Sequence, residues 1–124
     1  MTQYRLPIKT VILNNRYMGM VRQWQQLLHG SRYSESYSET LPDFVKLSEA
    51  FGFTGLTCND PADLDDAIKQ MLEIDGPVIL DVAVDDKENC YPMIPSGKPH
   101  NEMLLGQETK GDEAIDSDEG MVLV

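Results

Sequence analysis

Two nearly unbroken apolar runs constrain this chain most. Ile8 to Leu13 (IKTVIL) follows Pro7, and Val78 to Val84 (VILDVAV) follows Pro77. Both are rich in β-branched residues and too short for an ordinary helix. Neither alternates cleanly between polar and apolar positions, so each reads as a strand covered on both faces. Between them the period changes. Met20, Val21, Trp24, Leu27 and Leu28 recur at helical spacing, with Arg22, Gln23, Gln25 and Gln26 on the opposite face and Gly30 as the stop. Pro42 to Phe51 predicts a second helix, opening with proline and an acid in its first turn and closing at Gly52. Thr54 to Cys58 is a short strand. Asp60-Pro61 starts a third helix with an aspartate cap, its apolar stripe being Leu64, Ala67, Ile68, Met71 and Leu72. This alternation is α/β, a parallel sheet with helices on both faces. Three strands leave open edges, and Ile8–Leu13 is apolar enough to want neighbours on both sides, so the chain reads as part of a larger sheet.

Composition narrows the function. The 124 residues carry 21 acids against 10 bases, a net charge of −11 with no basic stripe, which argues against a phosphate-backbone partner. No apolar run is long enough to span a membrane and no secretory leader is seen, so neither a membrane nor an exported role is expected. Cys58 and Cys90 belong to no metal-binding or disulfide pattern, which suits a reducing cytosol. The acids crowd toward the end. Glu108, Asp112, Glu113, Asp116, Asp118 and Glu119 face only Lys110, so residues 106–124 are expected to form a solvated, disordered acidic tail behind a domain spanning 1–105. His29 and His100 stand apart in sequence and read as surface histidines. The Ser-, Tyr- and Glu-rich stretch from Ser31 to Glu39 has no firm period and reads as a loop over the face where ligands bind.

In open α/β sheets ligands sit beyond the carboxyl ends of the strands, the position held here by Asn14-Asn15. A side-chain amide oxygen is a hard neutral donor that suits magnesium when carboxylates and phosphates supply the other oxygens. The chain reversal there can add a backbone carbonyl, Gly19 permits close approach, and the following helix turns its amides toward phosphate. By composition alone an Asn pair is first a strand-ending turn, and Met20, Val21, Trp24 and Leu28 are first a core stripe. The metal-bearing turn is the second reading.

The string VILNNRYMGMVRQWQ, Val11 to Gln25, closely resembles the catalytic (large) subunit of acetohydroxyacid synthase, or acetolactate synthase, a thiamine diphosphate enzyme. The resemblance continues through Arg32-Tyr33, Pro42 to Leu47, Gly76-Pro77-Val78 and Tyr91 to Gly97 (YPMIPSG), covering roughly residues 4–105. It implies the C-terminal half of a thiamine diphosphate-binding domain, with an irregular C-terminal lid before the tail. Asn15 matches the residue whose side-chain oxygen binds the magnesium that clamps the diphosphate, and Tyr17 the residue giving that ion its backbone carbonyl. Arg16, Tyr17, Met18, Gly19 and Met20 match the stretch along the cofactor, with Met20 beside the aminopyrimidine and the reacting centre. Trp24 matches the tryptophan shaping the second-substrate site. Val21, Trp24, Ser96 and Gly97 match the substrate channel and its lid.

The implied chemistry is carboligation. Pyruvate loses carbon dioxide, and the two-carbon unit joins a second pyruvate or 2-ketobutyrate, giving 2-acetolactate or 2-aceto-2-hydroxybutyrate for branched-chain amino-acid synthesis. The family anchors magnesium with a Gly-Asp-Gly motif upstream of the asparagine pair; none precedes Asn14 here, and Gly111-Asp112-Glu113 is a downstream decoy. The cofactor-activating glutamate belongs to the family's amino-terminal domain. The chain is therefore expected to be a carboxyl-terminal piece, inactive alone, whose parent works as a homo-oligomer in the cytoplasm or a eukaryotic organelle. The remainder of the catalytic subunit is its implied partner, and a regulatory subunit is another. Flavin (FAD) is a family cofactor whose binding residues lie outside this stretch. Lys98-Pro99 departs from the glycine expected after Ser-Gly. Two alternatives stand beside this reading. One is another thiamine diphosphate enzyme of the pyruvate oxidase or glyoxylate carboligase type, against which Gln23-Trp24 and the Pro92 to Gly97 string argue. The other is a non-catalytic acidic α/β interaction module.

Overall fold

A computed structural model describes residues 2–4 and 6–106. The expected acidic tail beyond Gly106, with its Gly111-Asp112-Glu113, lies outside the described residues. Three strands, β1 (Lys9–Asn14), β2 (Thr54–Cys58) and β3 (Val78–Ala83), and three α-helices, α1 (Gly19–Leu28), α2 (Phe44–Ala50) and α3 (Leu64–Glu73), account for the regular structure among them, with short 3-10 turns. The chain forms two compact units. The first comprises residues 1–16 and 39–86, and the second Tyr17–Ser38 with the stretch from Lys87 onward.

The first unit is the expected α/β layer structure. Its sheet has the order β1-β3-β2 with both pairings parallel, Val11 opposite Leu80 and Leu56 opposite Leu80. On one face Cys58, Val78, Leu80 and Val82 form a buried core with Met71 of α3, packed by Leu56, Leu64, Ala67, Ile68 and Ile74. Gly55 points to the other face, where α2 lies so close that a Cβ at Gly55 would stand 2.7 Å from the Val45 Cα and 2.9 Å from its carbonyl oxygen. Helices thus cover both faces, but β1 escapes cover on the core side, where Val11 is exposed and Leu13 is 70% exposed. The expectation that this strand is buried on both faces therefore fails within the described residues, because α3 packs over β2 and β3. Lys9 is tied in by its own ammonium, which donates to the Ile74 and Gly76 carbonyls just beyond α3.

The helix boundaries follow their capping chemistry. Asp60 accepts from the Ala62 N–H at 2.9 Å, and Pro61 opens a 3-10 turn that leads into α3. Asp43 proves to be the cap of α2 rather than a first-turn acid, accepting from the Lys46 N–H at 3.0 Å, and Pro42 stands outside the helix. Leu72, expected in the α3 stripe, is 63% exposed, and Ile74 packs in its place because the chain leaves helical geometry there and turns back to the core.

The Lys46 backbone N–H, followed by its ammonium 3.0 Å away, holds the Asp43 carboxyl below its ordinary value. A lowered carboxylate stabilises the folded state above its unfolded pKa, and the contribution is lost as pH falls through the folded value. A carboxyl chemical-shift titration should place Asp43 below free aspartate, and Asp43→Asn should remove that part of the acid dependence. Gly55→Ala should lower the urea midpoint by the equivalent of about 1–3 kcal/mol with an unchanged slope, because the obstructing atoms are backbone.

Candidate functional site

Asn14 is the last residue of β1, so the strand breaks within the Asn pair as expected. It pairs with Ala83, and the Val84 N–H donates to its carbonyl at 3.2 Å. Its side chain makes the bonds that fix this end. That amide donates to Asp81 Oδ1 on the neighbouring strand at 3.0 Å, while its Oδ1 accepts the Arg16 N–H at 3.2 Å. One residue thus closes the ladder and starts the turn. Arg16 adopts φ +60°, a left-handed conformation that costs a non-glycine residue about 1 kcal/mol or more, and its guanidinium donates to the Glu39 carbonyl at 2.6 Å. Asn15 is half-buried at this reversal, beyond the carboxyl end of β1. Among the described residues no group of three or more His, Cys, Asp or Glu could hold a metal ion. The donors this turn offers are neutral carbonyl oxygens, suited to a hard cation whose remaining ligands carry the negative charge.

The second unit holds the other candidate residues. Tyr17 forms an antiparallel bridge with Tyr37, their rings 4.9 Å apart, and the Met18 N–H donates to the Ser36 carbonyl at 2.8 Å. Helix α1 then begins at Gly19 with its polarity inverted. Met18, Met20, Val21 and Trp24 are exposed, Trp24 at 41%, whereas Arg22 and Gln23 are 6% and 1% exposed. The core-stripe reading of Met20, Val21 and Trp24 thus fails among the described residues. What buries Arg22 and Gln23 is the irregular stretch after residue 86. The Arg22 guanidinium donates to the Lys87 carbonyl at 3.0 Å and to Asn89 Oδ1 at 3.2 Å, and lies 5.4 and 5.5 Å from the Tyr17 and Tyr33 ring centres. Gln23 Oε1 accepts the Cys90 N–H at 2.7 Å and its Nε2 donates to the Cys90 carbonyl at 3.0 Å. Asn89 donates to Gln26 Oε1 at 3.0 Å.

Ser96 and Gly97 occupy an exposed turn. The Lys98 N–H donates to the Pro95 carbonyl at 3.1 Å, and Gly97 has φ +76°, as a type II turn requires. Lys98 therefore keeps an ordinary turn despite its departure from the expected glycine. Reciprocal hydrogen bonds between Met93 and Leu104 close the base of this loop at 2.9 and 2.7 Å. Sequence reasoning missed Arg22 and Gln23 as buried groups. The available signal was their place in a polar helix face preceding a stretch with no regular structure to satisfy its own backbone.

Residues 1–82 match the family described as "Thiamine pyrophosphate enzyme, C-terminal TPP binding domain". The chain belongs to the thiamine pyrophosphate enzymes. It resembles the acetolactate synthase large subunit of Porphyra purpurea, 50% identical over 103 residues, and the isozyme 3 large subunit of Escherichia coli K12, 44% identical over 108 residues. It also resembles the mitochondrial acetolactate synthase of Schizosaccharomyces pombe, at 41% identity over 103 residues. These alignments cover 82%, 85% and 83% of this chain but only 18%, 19% and 15% of the relatives, so it spans under a fifth of their length. A thiamine diphosphate-dependent 4-hydroxybenzoylformate decarboxylase of Rhodococcus jostii RHA1 shares the fold, with TM-score 0.61 and 27% identity over 71% of this chain and 16% of that one. The resemblance read from the motifs and the parallel α/β fold are both borne out.

Asn14→Ala removes both bonds at the strand end and leaves the half-buried Asp81 carboxylate without that donor. The loss should be about 1–2 kcal/mol of stability, read from urea unfolding, with faster hydrogen exchange at the Arg16 amide.

Proposed function

We propose that this chain supplies the carboxyl-terminal part of a thiamine diphosphate site in an acetolactate synthase catalytic subunit. The observation that carries the reading is the inverted helix α1. An apolar face of Met20, Val21 and Trp24 follows directly on the Asn15 turn and is kept free, while polar side chains are buried behind it. Asn15, through its side-chain oxygen, and Tyr17, through its backbone carbonyl, are assigned to magnesium by the family resemblance. The neutral donors at the turn fit that ion, whose charge is balanced by the diphosphate and by a carboxylate from the remainder of the subunit. Arg16, Met18 and Gly19 line the same cofactor stretch. Bound thiamine diphosphate supplies the electron sink for decarboxylating a 2-ketoacid.

The chain's own residues bind and select. Met20 packs beside the reacting centre and excludes water. Val21, Ser96 and Gly97 border the channel. Trp24 presents a large aromatic wall to the second ketoacid, and such a wall favours 2-ketobutyrate over pyruvate by about 1–3 kcal/mol for its extra methylene. The products are 2-aceto-2-hydroxybutyrate and 2-acetolactate, the partners are the remainder of the catalytic subunit and a regulatory subunit, and the place of action is the cytoplasm or an organelle. Alone, this chain forms no acetolactate.

Trp24 is the single tryptophan, so its emission reports on this face. Thiamine diphosphate titrated with magnesium should give a saturable change, reversed by chelator and weakened at least tenfold in Asn15→Ala. A folded chain whose emission does not respond at millimolar cofactor means that these residues hold the cofactor only together with the remainder of the subunit. Acetolactate formed from pyruvate by the isolated chain overturns the inactivity.

A further inference from the structure

We propose that Gln23 is a positioning residue: its side-chain amide pairs with the Cys90 backbone and so sets where the Pro95–Lys98 turn stands relative to Trp24. The inference rests on the functional reading only for the identity of the ligand that meets Trp24. Its geometry lies wholly within the second unit.

Three observations carry it. Gln23 is essentially inaccessible, yet its helix leaves Met20, Val21 and Trp24 exposed, so its burial is not the by-product of a hydrophobic stripe. Its amide meets one residue at two points, accepting from the Cys90 N–H at 2.7 Å and donating to the Cys90 carbonyl at 3.0 Å, and its Nε2 also lies 2.9 Å from Met93 Sδ. The pairing therefore replaces the strand neighbour that Cys90 lacks, and it fixes position as well as contact. Met93 in turn closes on Leu104 through reciprocal backbone bonds, so the base of the loop carrying Ser96 and Gly97 is anchored to the helix that carries Trp24. Arg22, bonded to Lys87 and Asn89, and Gln26, bonded to Asn89, hold the upstream end of the same stretch.

Gln23→Glu turns this pairing into a pH-dependent one. The protonated carboxyl keeps one acceptor and one donor and reproduces the amide, whereas the carboxylate has no donor and faces the Cys90 carbonyl. Burial favours the neutral form and raises the carboxyl above an ordinary glutamate. The charged and titratable groups on the packed elements are Arg22, Tyr17 and Tyr33 on one side and Lys87, Glu88, Cys90 and Tyr91 on the other. The unsubstituted Gln23 chain at each pH is the reference.

The test measures energy transfer from Trp24 to an acceptor on a thiol at position 96, in a Cys90→Ser, Ser96→Cys background where the remaining cysteine, Cys58, is buried. Transfer should be constant between pH 5 and 8 with Gln23. With Gln23→Leu it should fall at least twofold at both pH values. With Gln23→Glu it should fall at pH 8 and recover at pH 5. Transfer that ignores both substitutions overturns the proposal, as does a loss in Gln23→Glu that acid does not reverse. Should Gln23→Leu fail to fold, the reversal within the single Gln23→Glu polypeptide decides. No cofactor is added, so a negative thiamine diphosphate titration and a negative transfer result fall on different proposals.

Discussion

The bond between the Asn14 amide and Asp81 ties the end of an edge strand to the middle of the sheet, and the rest of the site is built outward from it. β3 has neighbours on both sides and supplies most of the buried core, so Asp81 is a fixed reference point. Asn14 takes its bearing from that carboxylate and passes it on through the Arg16 N–H, which forces the left-handed step at Arg16 and the reversal that carries Asn15. Strain of this kind persists only where surrounding bonds over-determine it, and here the guanidinium of Arg16 adds a further anchor at Glu39.

The second unit solves a different problem. The stretch after Lys87 has almost no regular structure, so its carbonyls and amides need partners from elsewhere. Helix α1 provides them with Arg22, Gln23 and Gln26. Burying these groups is tolerable only because each is hydrogen-bonded, with the Arg22 charge further met by two aromatic rings. The same arrangement leaves Met20, Val21 and Trp24 facing outward.

Much of the first unit was legible in the sequence because each element had a local signal. Unbroken β-branched runs marked β1 and β3, Asp60-Pro61 marked the approach to α3, and Gly52 marked the end of α2. The Asn pair was legible as the end of β1, but not its anchor: propensity describes a residue's average behaviour, and here one specific carboxylate, 67 residues away, holds Asn14 at the end of the ladder. The faces of α1 were misread for a deeper reason. Periodicity says that a helix has two faces; it does not say which one the molecule covers. Trp24 and the Ser96-Gly97 turn are proposed for the site only through the family motif, since alone they read as a core aromatic and an ordinary turn.

The order of the strands in space differs from their order along the chain, and this bears on how the protein is made. β2, α3 and β3 are contiguous and can assemble as one crossover unit as soon as they are available. Of the described strands β1 comes earliest in the chain, yet its pairing partner among them is β3, the latest. The β1–β3 ladder therefore cannot form until some seventy residues beyond Ile8 to Leu13 have followed. Contacts this distant in sequence are slow to close, because the entropy of the intervening loop is lost before the ladder forms. Until that ladder closes, the β1 edge that β3 covers is open to a wrong neighbour.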